Sequence, residues 1–313
     1  MLEIRNLSKN FGTLVAVDDV SFAVSRGEVL GFLGPNGAGK STTMKMATGF
    51  LAPSAGTAVI CGADIQERPL AAKRQFGYLP EGAPAYPDMT VAEFLRFVAH
   101  IRGLRGAEAR TRIGRIVELV HLDEVFQQRI DTLSKGFRRR VGVAQALIHD
   151  PPVVILDEPT DGLDPNQKYE MRGILAAMQA EKAIVISTHL LEEVEAVCSR
   201  AIIIARGRIL ADATPAELAA RSRFHNAVRL DIEPANEARI RGDLAGLPAV
   251  AAIDTVDGGR ALLVMPRDGQ PIAAAIAELA EGRDWRIGGF TVERGRLDDV
   301  FRAITAHAAA ADV

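Results

Sequence analysis

The sequence predicts an α/β fold, in which helices surround a mostly parallel β-sheet, followed by a smaller α+β domain. Two observations support this prediction. Over about the first 220 of the 313 residues, short runs of β-forming residues alternate with helical patterns. Beyond Arg223 the pattern changes to a different order of strands and helices. We therefore predict two domains, at residues 1–222 and 223–313.

The strands of the first domain are predicted from apolar runs that do not alternate with polar residues. Strands that are covered by helices on both faces have this composition. The clearest runs are Val29–Leu33, Val153–Leu156 and Ala183–Ser187. They predict a buried core sheet.

A helical subdomain is predicted at about residues 88–150, because this stretch contains no convincing strand. Thr90 and Glu93 have the spacing of a capping box, which predicts a helix from there to about Ile101. A glycine-broken segment then leads into a second helix. Its charge run is more typical of a solvated surface than of a binding patch, and it contains Arg102, Arg105, Arg110, Arg112 and Arg115.

The second domain has the element order β-α-β-β-α-β, which is typical of a ferredoxin-like unit. An amphipathic helix at residues 297–308 follows it. The predicted strands are at residues 228–232, 250–256, 261–265 and 285–292, and the predicted helices are at residues 237–247 and 271–281.

Composition argues against nucleic-acid binding and favours a cytoplasmic location. The formal net charge is −3, so the chain lacks the global basic field that nucleic-acid binding requires, and we expect no nucleic-acid partner. Cys61 and Cys198 have no metal-type or disulfide-type spacing, which fits a reducing cytoplasm. Charges at the N-terminus argue against a signal peptide, and the longest apolar runs have the length of strands. We expect no segment that crosses a bilayer.

A phosphate-binding loop is indicated between the first buried strand and a helical run. Its glycines let the backbone curl so that several amides point into one concavity, and the following helix adds the positive end of its dipole. Lys40 supplies a charge to the outer phosphates, Ser41 offers a hydroxyl to Mg²⁺, and Thr42 adds a further hydroxyl. A glycine-rich turn without a ligand is the alternative. The loop matches G-x-x-x-x-G-K-[ST] and consists of Gly34, Pro35, Asn36, Gly37, Ala38, Gly39, Lys40 and Ser41.

Two carboxylates follow the buried strand that begins at Val153. Because adjacent strand residues point in opposite directions, Asp157 can face a metal while Glu158 faces an attacking water. A solvated strand end is the alternative. His189 follows another buried strand, which places an imidazole at the same sheet edge. Taken alone, His189 would more often be a structural, hydrogen-bonded residue.

The segment Leu133-Ser134-Lys135-Gly136-Phe137 resembles the LSGGQ-type signature of ATP-binding cassette (ABC) proteins. With the phosphate-binding loop, residues 161–164 and His189 in the same order, the resemblance covers about residues 1–220. It implies an ABC-type P-loop NTPase fold. Residues 78–81 and 297–301 are most similar to the single-cassette subunits of ABC-2-type exporters, which include gliding-motility and drug- or lipid-export ATPases.

The resemblance implies a head-to-tail homodimer that holds two ATP molecules and Mg²⁺ between its chains. Ser134 and Gly136 of one copy would face the nucleotide of the other, and the amides that open a helix there suit a γ-phosphate. Phe11 falls where the family stacks an aromatic ring on adenine, with a core phenylalanine as the alternative. Asp164 would help to couple the two sites.

Three positions depart from the family pattern. Lys135 replaces the second glycine of the signature, and Phe137 replaces its final glutamine. Glu81 stands where the family has a metal-contacting glutamine, and its carboxylate adds charge beside the phosphates. We still expect ATP hydrolysis.

The resemblance further implies a separate transmembrane permease, which would hold the chain as a cytoplasmic, peripheral protein at the inner face of the cell membrane. One alternative is a cassette protein that remodels ribosomes or DNA, but the chain has one phosphate-binding loop and no coiled coil. A regulatory module that binds ATP without hydrolysing it is the other alternative. Asp157, Glu158 and His189 argue against it.

Overall fold

The computed structural model of the protein describes the backbone of residues 1–310 and the side chains of residues 1–306. Residues 311–313, which the predicted second domain includes, lie outside this range. The chain forms two compact units, Met1–Ala213 and Thr214–Val313. The boundary predicted between residues 222 and 223 stays a prediction, and a truncation tests it below.

The first unit contains two sheets and seven α-helices. Its strands are β1 (Leu2–Phe11), β2 (Leu14–Val24), β3 (Val29–Leu33), β4 (Ala55–Ile60), β5 (Ala63–Asp64), β6 (Phe76–Leu79), β7 (Val153–Asp157), β8 (Ala183–Thr188), β9 (Arg200–Ala205) and β10 (Arg208–Ala213). Its helices are α1 (Lys40–Ala47), α2 (Pro69–Arg74), α3 (Val91–Ile101), α4 (Gly106–Leu119), α5 (Lys135–Leu147), α6 (Pro165–Gln179) and α7 (Leu191–Val197).

The central sheet is the predicted parallel sheet. Its strand order is β10-β9-β3-β8-β7-β6, and only β10 at the edge is antiparallel to its neighbour. The three strands predicted from apolar runs, β3, β7 and β8, are adjacent, and every residue in them is buried. Leu33 pairs with Thr188, and Asp157 pairs with Ser187. The carboxyl ends of these three strands therefore meet at one edge of the sheet.

A second, antiparallel sheet with the order β2-β1-β4-β5 was not predicted. Its buried side chains pack with α1 on one face of the central sheet, whereas α3 to α6 cover the other face. The two cores divide the residues of β7 between them. Val153 and Ile155 belong to the core under the antiparallel sheet, and Val154 and Leu156 belong to the core under the helices.

The predicted helical insert contains α3, α4 and α5. The capping box at the start of α3 is present, with the Thr90 amide donating to Glu93 Oε2 at 2.8 Å and the Glu93 amide donating to Thr90 Oγ1 at 3.2 Å. Helix α5 lies directly on β6. A Cβ at Gly77 would lie 1.9 Å from the Ala146 carbonyl oxygen, so this backbone contact requires glycine.

The second unit contains α8 (Pro215–Ala219), β11 (His225–Ile232), α9 (Glu237–Ala245), β12 (Val250–Val256), β13 (Ala261–Pro266), α10 (Ala273–Gly282), β14 (Ile287–Arg294) and α11 (Leu297–Ala310). From β11 to β14 the element order is the predicted β-α-β-β-α-β. The sheet order is β12-β13-β11-β14, and all pairs are antiparallel. Its core includes Trp285, whose indole Nε1 donates to Asp243 Oδ2 at 3.2 Å.

The two cysteines lie in different environments. Cys61 is exposed in the turn between β4 and β5, whereas Cys198 follows α7 and is partly buried against β3. A Cβ at Gly31 of β3 would lie 2.9 Å from the Cys198 sulfur, so the two segments are in close contact.

Within residues 1–310, none of the helices combines the length and the apolar character that crossing a bilayer requires.

Candidate nucleotide-binding site

The loop between β3 and α1 has the backbone shape that a phosphate-binding loop requires. Gly37 and Gly39 have φ angles of 79° and 104°, a region that residues with a side chain rarely adopt. A Cβ at Gly39 would also lie 2.6 Å from the Ala16 carbonyl oxygen. These glycines let the loop curl tightly before α1 begins at Lys40. The amides at the start of α1 and its dipole favour an anion there.

Lys40 is buried beside this loop, with 5% of its surface exposed. Its Nζ donates to the carbonyl oxygens of Gly34 at 2.8 Å and Pro35 at 3.2 Å, and lies 3.7 Å from Glu158 Oε1. Burial lowers the pKa of the Lys40 ammonium, while the charges of Glu158 and Asp157 act in the opposite direction. The ammonium is thus held at the loop by carbonyls and by a carboxylate.

Asp157 is fully buried at the end of β7. Its Oδ1 accepts hydrogen bonds from Ser41 Oγ at 3.2 Å and from Ser187 Oγ. Its Oδ2 has no hydrogen-bond partner among the described residues, although it is buried. A buried carboxylate oxygen without a partner beside a serine hydroxyl suits a hard cation that keeps part of its water shell. Ser41 and Asp157 therefore fit Mg²⁺.

Glu158 and His189 form a carboxylate–imidazole pair. Glu158 has a φ angle of 49°, and its amide donates to Ser187 Oγ and to the Ser187 carbonyl oxygen, both at 3.1 Å. This uncommon conformation directs the side chain away from the strand and towards the cavity. Its Oε1 lies 3.3 Å from His189 Nδ1. The pair can accept a proton from a water and orient the carboxylate.

A cavity of about 510 Å³ joins these groups. Its volume lies in the range of small-molecule sites. It is lined by Ala16, Asn36, Gly37, Gly39, Lys40, Ser41, Thr42, Glu81, Glu158, Asp161 and His189. Of the residues expected at the nucleotide and the metal, Gly34, Ala38 and Asp157 lie behind this lining, and Phe11, Ser134 and Gly136 are not part of it.

Phe11 is 47% exposed, and the Lys9 ammonium lies 5.2 Å from the centre of its ring. The alternative that Phe11 is a core residue is therefore wrong. An exposed ring at the end of β1 is available for stacking, and its contact with adenine stays a prediction.

Ser134 and Gly136 lie at the start of α5. Ser134 is exposed and caps the helix, because its Oγ accepts a hydrogen bond from the Phe137 amide at 3.3 Å. A Cβ at Gly136 would lie 2.6 Å from the Gln167 side chain. Both residues lie outside the cavity wall of their own chain. That they contact the nucleotide of a second chain stays a prediction.

Reasoning from individual residues missed two groups at the site. The Ser187 hydroxyl donates to Asp157, and Asp161 lines the cavity and pairs with Lys135 at 3.1 Å. Ser187 could have been found from its register, since it directly faces Asp157 across the β7–β8 pair. In the sequence, Asp161 stands out only as part of the family pattern.

Asp164 begins α6 as its N-cap, and its Oδ1 accepts a hydrogen bond from the Gln167 amide at 2.9 Å. The capping box gives this carboxylate a local structural role. The coupling role implied by the resemblance stays a prediction.

The glycine loop with its buried lysine, the serine–aspartate pair and the carboxylate–imidazole pair define a phosphate-binding-loop nucleotide hydrolase. Residues 17–161 match the ABC transporter family. The chain is 34% identical over 305 residues to Nod factor export ATP-binding protein I of Paraburkholderia xenovorans, covering 97% of this chain and 96% of the relative. It therefore belongs to the ATP-binding proteins of ABC transporters.

Other relatives match about 70% of this chain. The Escherichia coli protein named "Probable multidrug ABC transporter ATP-binding protein YbhF" is 39% identical over 223 residues, which are 71% of this chain and 38% of that relative. The chain thus matches less than half of YbhF. A solved ATP-binding subunit of an ABC transporter has a TM-score of 0.65 and 33% identity, covering 70% of this chain and 91% of the other. The dimeric cassette MJ0796, at 23% identity and a TM-score of 0.64, supports the fold alone and covers 69% of this chain and 99% of its own.

Proposed function

We propose that this chain is the ATP-hydrolysing subunit of an ABC-2-type exporter. It works as a homodimer with a separate transmembrane permease, at the inner face of the cell membrane. The observation that carries the proposal is the cavity in which Lys40, Ser41 and the Glu158–His189 pair meet behind a phosphate-binding loop. The relative named as a Nod factor export protein supports the exporter assignment.

Each residue at the sheet edge has a distinct part in the proposed reaction. Lys40 binds the outer phosphates, while Ser41 and Asp157 hold Mg²⁺, which supplies charge to the triphosphate when it is bound. Glu158 accepts the proton of the attacking water, and His189 orients the Glu158 carboxylate from 3.3 Å. Glu81, on the cavity wall, is a further candidate for contact with the metal.

The second side of the nucleotide comes from another chain in this proposal. Ser134 is exposed at the N-terminus of a 13-residue helix, and Gly136 is buried in its first turn. The Ser134 hydroxyl, the first amides and the dipole of this helix suit a γ-phosphate. Phe11 stacks on the adenine. A chain that meets no partner should therefore hydrolyse ATP slowly.

The alternative functions have less support. The relatives described above are transporter proteins by name, which does not favour a cassette that acts on ribosomes or DNA. A module that binds ATP without hydrolysis does not need the Glu158–His189 pair, yet this pair is in place.

Substitution of the base tests the proposal. Glu158→Gln keeps the size of the side chain but removes the basic oxygen, so ATP hydrolysis should fall by roughly 10²–10⁴-fold while ATP binding survives. The uncleaved γ-phosphate should then hold two chains together. We expect a dimer with MgATP and a monomer with ADP, measured by light scattering.

Two further variants serve as controls. Glu181→Gln changes an exposed glutamate just beyond α6 and should behave as the wild type. Glu158→Gln combined with Ser134→Arg should not dimerise, because the bulky side chain enters the shared phosphate position. Normal hydrolysis by Glu158→Gln, or a monomer at saturating MgATP, would defeat the mechanism.

A further inference from the structure

Glu81 is an acidic group on the wall of the nucleotide cavity. It lies two residues after β6, and within residues 1–306 it makes neither a hydrogen bond nor an ion pair. The other acids at the cavity all have partners. Asp157 accepts from two serine hydroxyls, Glu158 contacts Lys40 and His189, and Asp161 pairs with Lys135.

Arg139 is a buried, positively charged residue close to the same cavity. It lies on α5, is 2% exposed, and its Nε and Nη1 make no hydrogen bond with any described residue. Burial lowers the pKa of its guanidinium, against the opposing charges of four cavity carboxylates, Asp161, Glu158, Asp157 and Glu81. Buried guanidinium donors without acceptors are unfavourable, so an arrangement that gives them a carboxylate is favoured.

The elements that carry Glu81 and Arg139 pack against each other. A Cβ at Gly142 would lie 2.9 Å from the Ala83 Cβ, so α5 contacts the loop two residues beyond Glu81. Arg139 and Gly142 are three positions apart and share a helix face. Arg139 also borders a cleft of about 440 Å³ that is lined by Gly82 and Ala83. Arg139 thus borders the loop that carries the unpaired carboxylate.

We propose that Arg139 is a positioning residue for Glu81. The guanidinium draws the Glu81 carboxylate away from the triphosphate when no cation holds that carboxylate, and a bound Mg²⁺ would attract Glu81 in place of Arg139. This exchange offsets the repulsion that a glutamate in place of glutamine imposes on the phosphates. The proposal rests on the proposed nucleotide site.

A double-mutant cycle on nucleotide affinity tests this pairing without using the activity of the enzyme. ATP affinity is measured by calorimetry on the full chain, once in EDTA and once with Mg²⁺. In EDTA, Arg139→Gln should weaken ATP binding about tenfold, which corresponds to about 1.4 kcal/mol. In the Glu81→Gln background the same change should weaken it by less than about twofold. With Mg²⁺ the loss in the chain that retains Glu81 should shrink, because the metal attracts the carboxylate.

Matched variants separate this effect from a loss of structure. Arg138→Gln removes the same charge from the neighbouring position and should leave both affinities unchanged. Arg139→Met removes the charge without leaving buried donors, so it replaces Arg139→Gln in the cycle if that variant does not fold. The pairing would be overturned if the Arg139 substitution weakened ATP binding equally in the chain that retains Glu81 and in the Glu81→Gln background. Equal losses of ATP affinity in EDTA and in Mg²⁺ would also overturn it. A wild type that does not bind MgATP would instead overturn the nucleotide site itself.

Discussion

At the scale of single residues, Lys40 is the only lysine or arginine among the described residues that line the nucleotide cavity, whereas Glu81, Glu158 and Asp161 all line it. Its ammonium already makes hydrogen bonds with two carbonyl oxygens of the loop. A bound triphosphate would replace these neutral acceptors with charged ones. Charge-assisted hydrogen bonds of this kind are about twice as strong as neutral ones.

Lys40→Ala should therefore weaken ATP binding by about 10- to 100-fold, since hydrogen bonds to charged groups contribute about 1.5–3 kcal/mol. Calorimetry with Mg²⁺ present measures the change. Lys45→Ala removes a lysine near the other end of α1 and should leave the affinity as it is. Unchanged binding by Lys40→Ala would remove the phosphate-binding role of the loop.

The sequence predicted the residues of this site better than their detailed arrangement. Lys40, Asp157 and His189 could be placed at one edge because each lies at the carboxyl end of a buried strand or in the loop after one. The φ angle of Glu158 could not be predicted, and a core position for Phe11 stayed open as the alternative until its exposure was known. Both depend on how neighbouring segments pack, which local patterns do not specify.

At the scale of elements, the contact between α5 and β6 positions two parts of the proposed nucleotide-binding machinery, one on each element. The helix carries Ser134 at its start and Arg139 in its second turn, and it lies on the strand that leads to Glu81. At Gly77 the strand approaches the Ala146 carbonyl so closely that there is no room for a side chain.

Gly77→Ala should consequently lower the free energy of unfolding by about 1–3 kcal/mol, as overpacking in a core does. Gly173→Ala is the matched control, because this glycine is inside α6 and an added Cβ would have no atom within 4 Å. That change should instead stabilise the protein by about 0.5–1 kcal/mol. Urea unfolding midpoints of the two variants should move in opposite directions, and a shift to higher urea for Gly77→Ala would contradict the close approach.

The antiparallel sheet was not predicted because its strands pair irregularly. Its longest pair, β1 and β2, changes register between Ile4 and Leu7, and again between Leu7 and Lys9. Each irregularity breaks the two-residue alternation by which a half-buried strand is recognised. The parallel strands β3, β7 and β8 have no such breaks and are buried throughout, so their apolar runs were sufficient for prediction.

At the scale of the whole molecule, each unit has a core of its own. The two cores of the first unit draw on buried residues no later than Ile204, and the buried clusters of the second unit begin at Phe224. A unit that completes its own core can fold without its neighbour. The boundary predicted at residues 222 and 223 falls between these cores.

Truncation after residue 222 should give a soluble protein that binds ATP with unchanged affinity, because every proposed nucleotide contact precedes the cut. Its rate of hydrolysis should differ from that of the full chain if the second unit modulates the ATPase. Calorimetry and a phosphate-release assay on both proteins measure the two properties. A soluble fragment that cannot bind ATP would show that the boundary is wrong.

The different environments of the two cysteines offer a way to observe the proposed dimer. Burial raises the pKa of both thiols, that of Cys198 to about 12, and it is the thiolate that attacks a thiol reagent. Cys61 is exposed in its turn, so a spin label or a dye would attach to one position per chain. Two labelled chains that associate around ATP would then report a single distance between their labels, in the unmodified sequence and without removing any native residue.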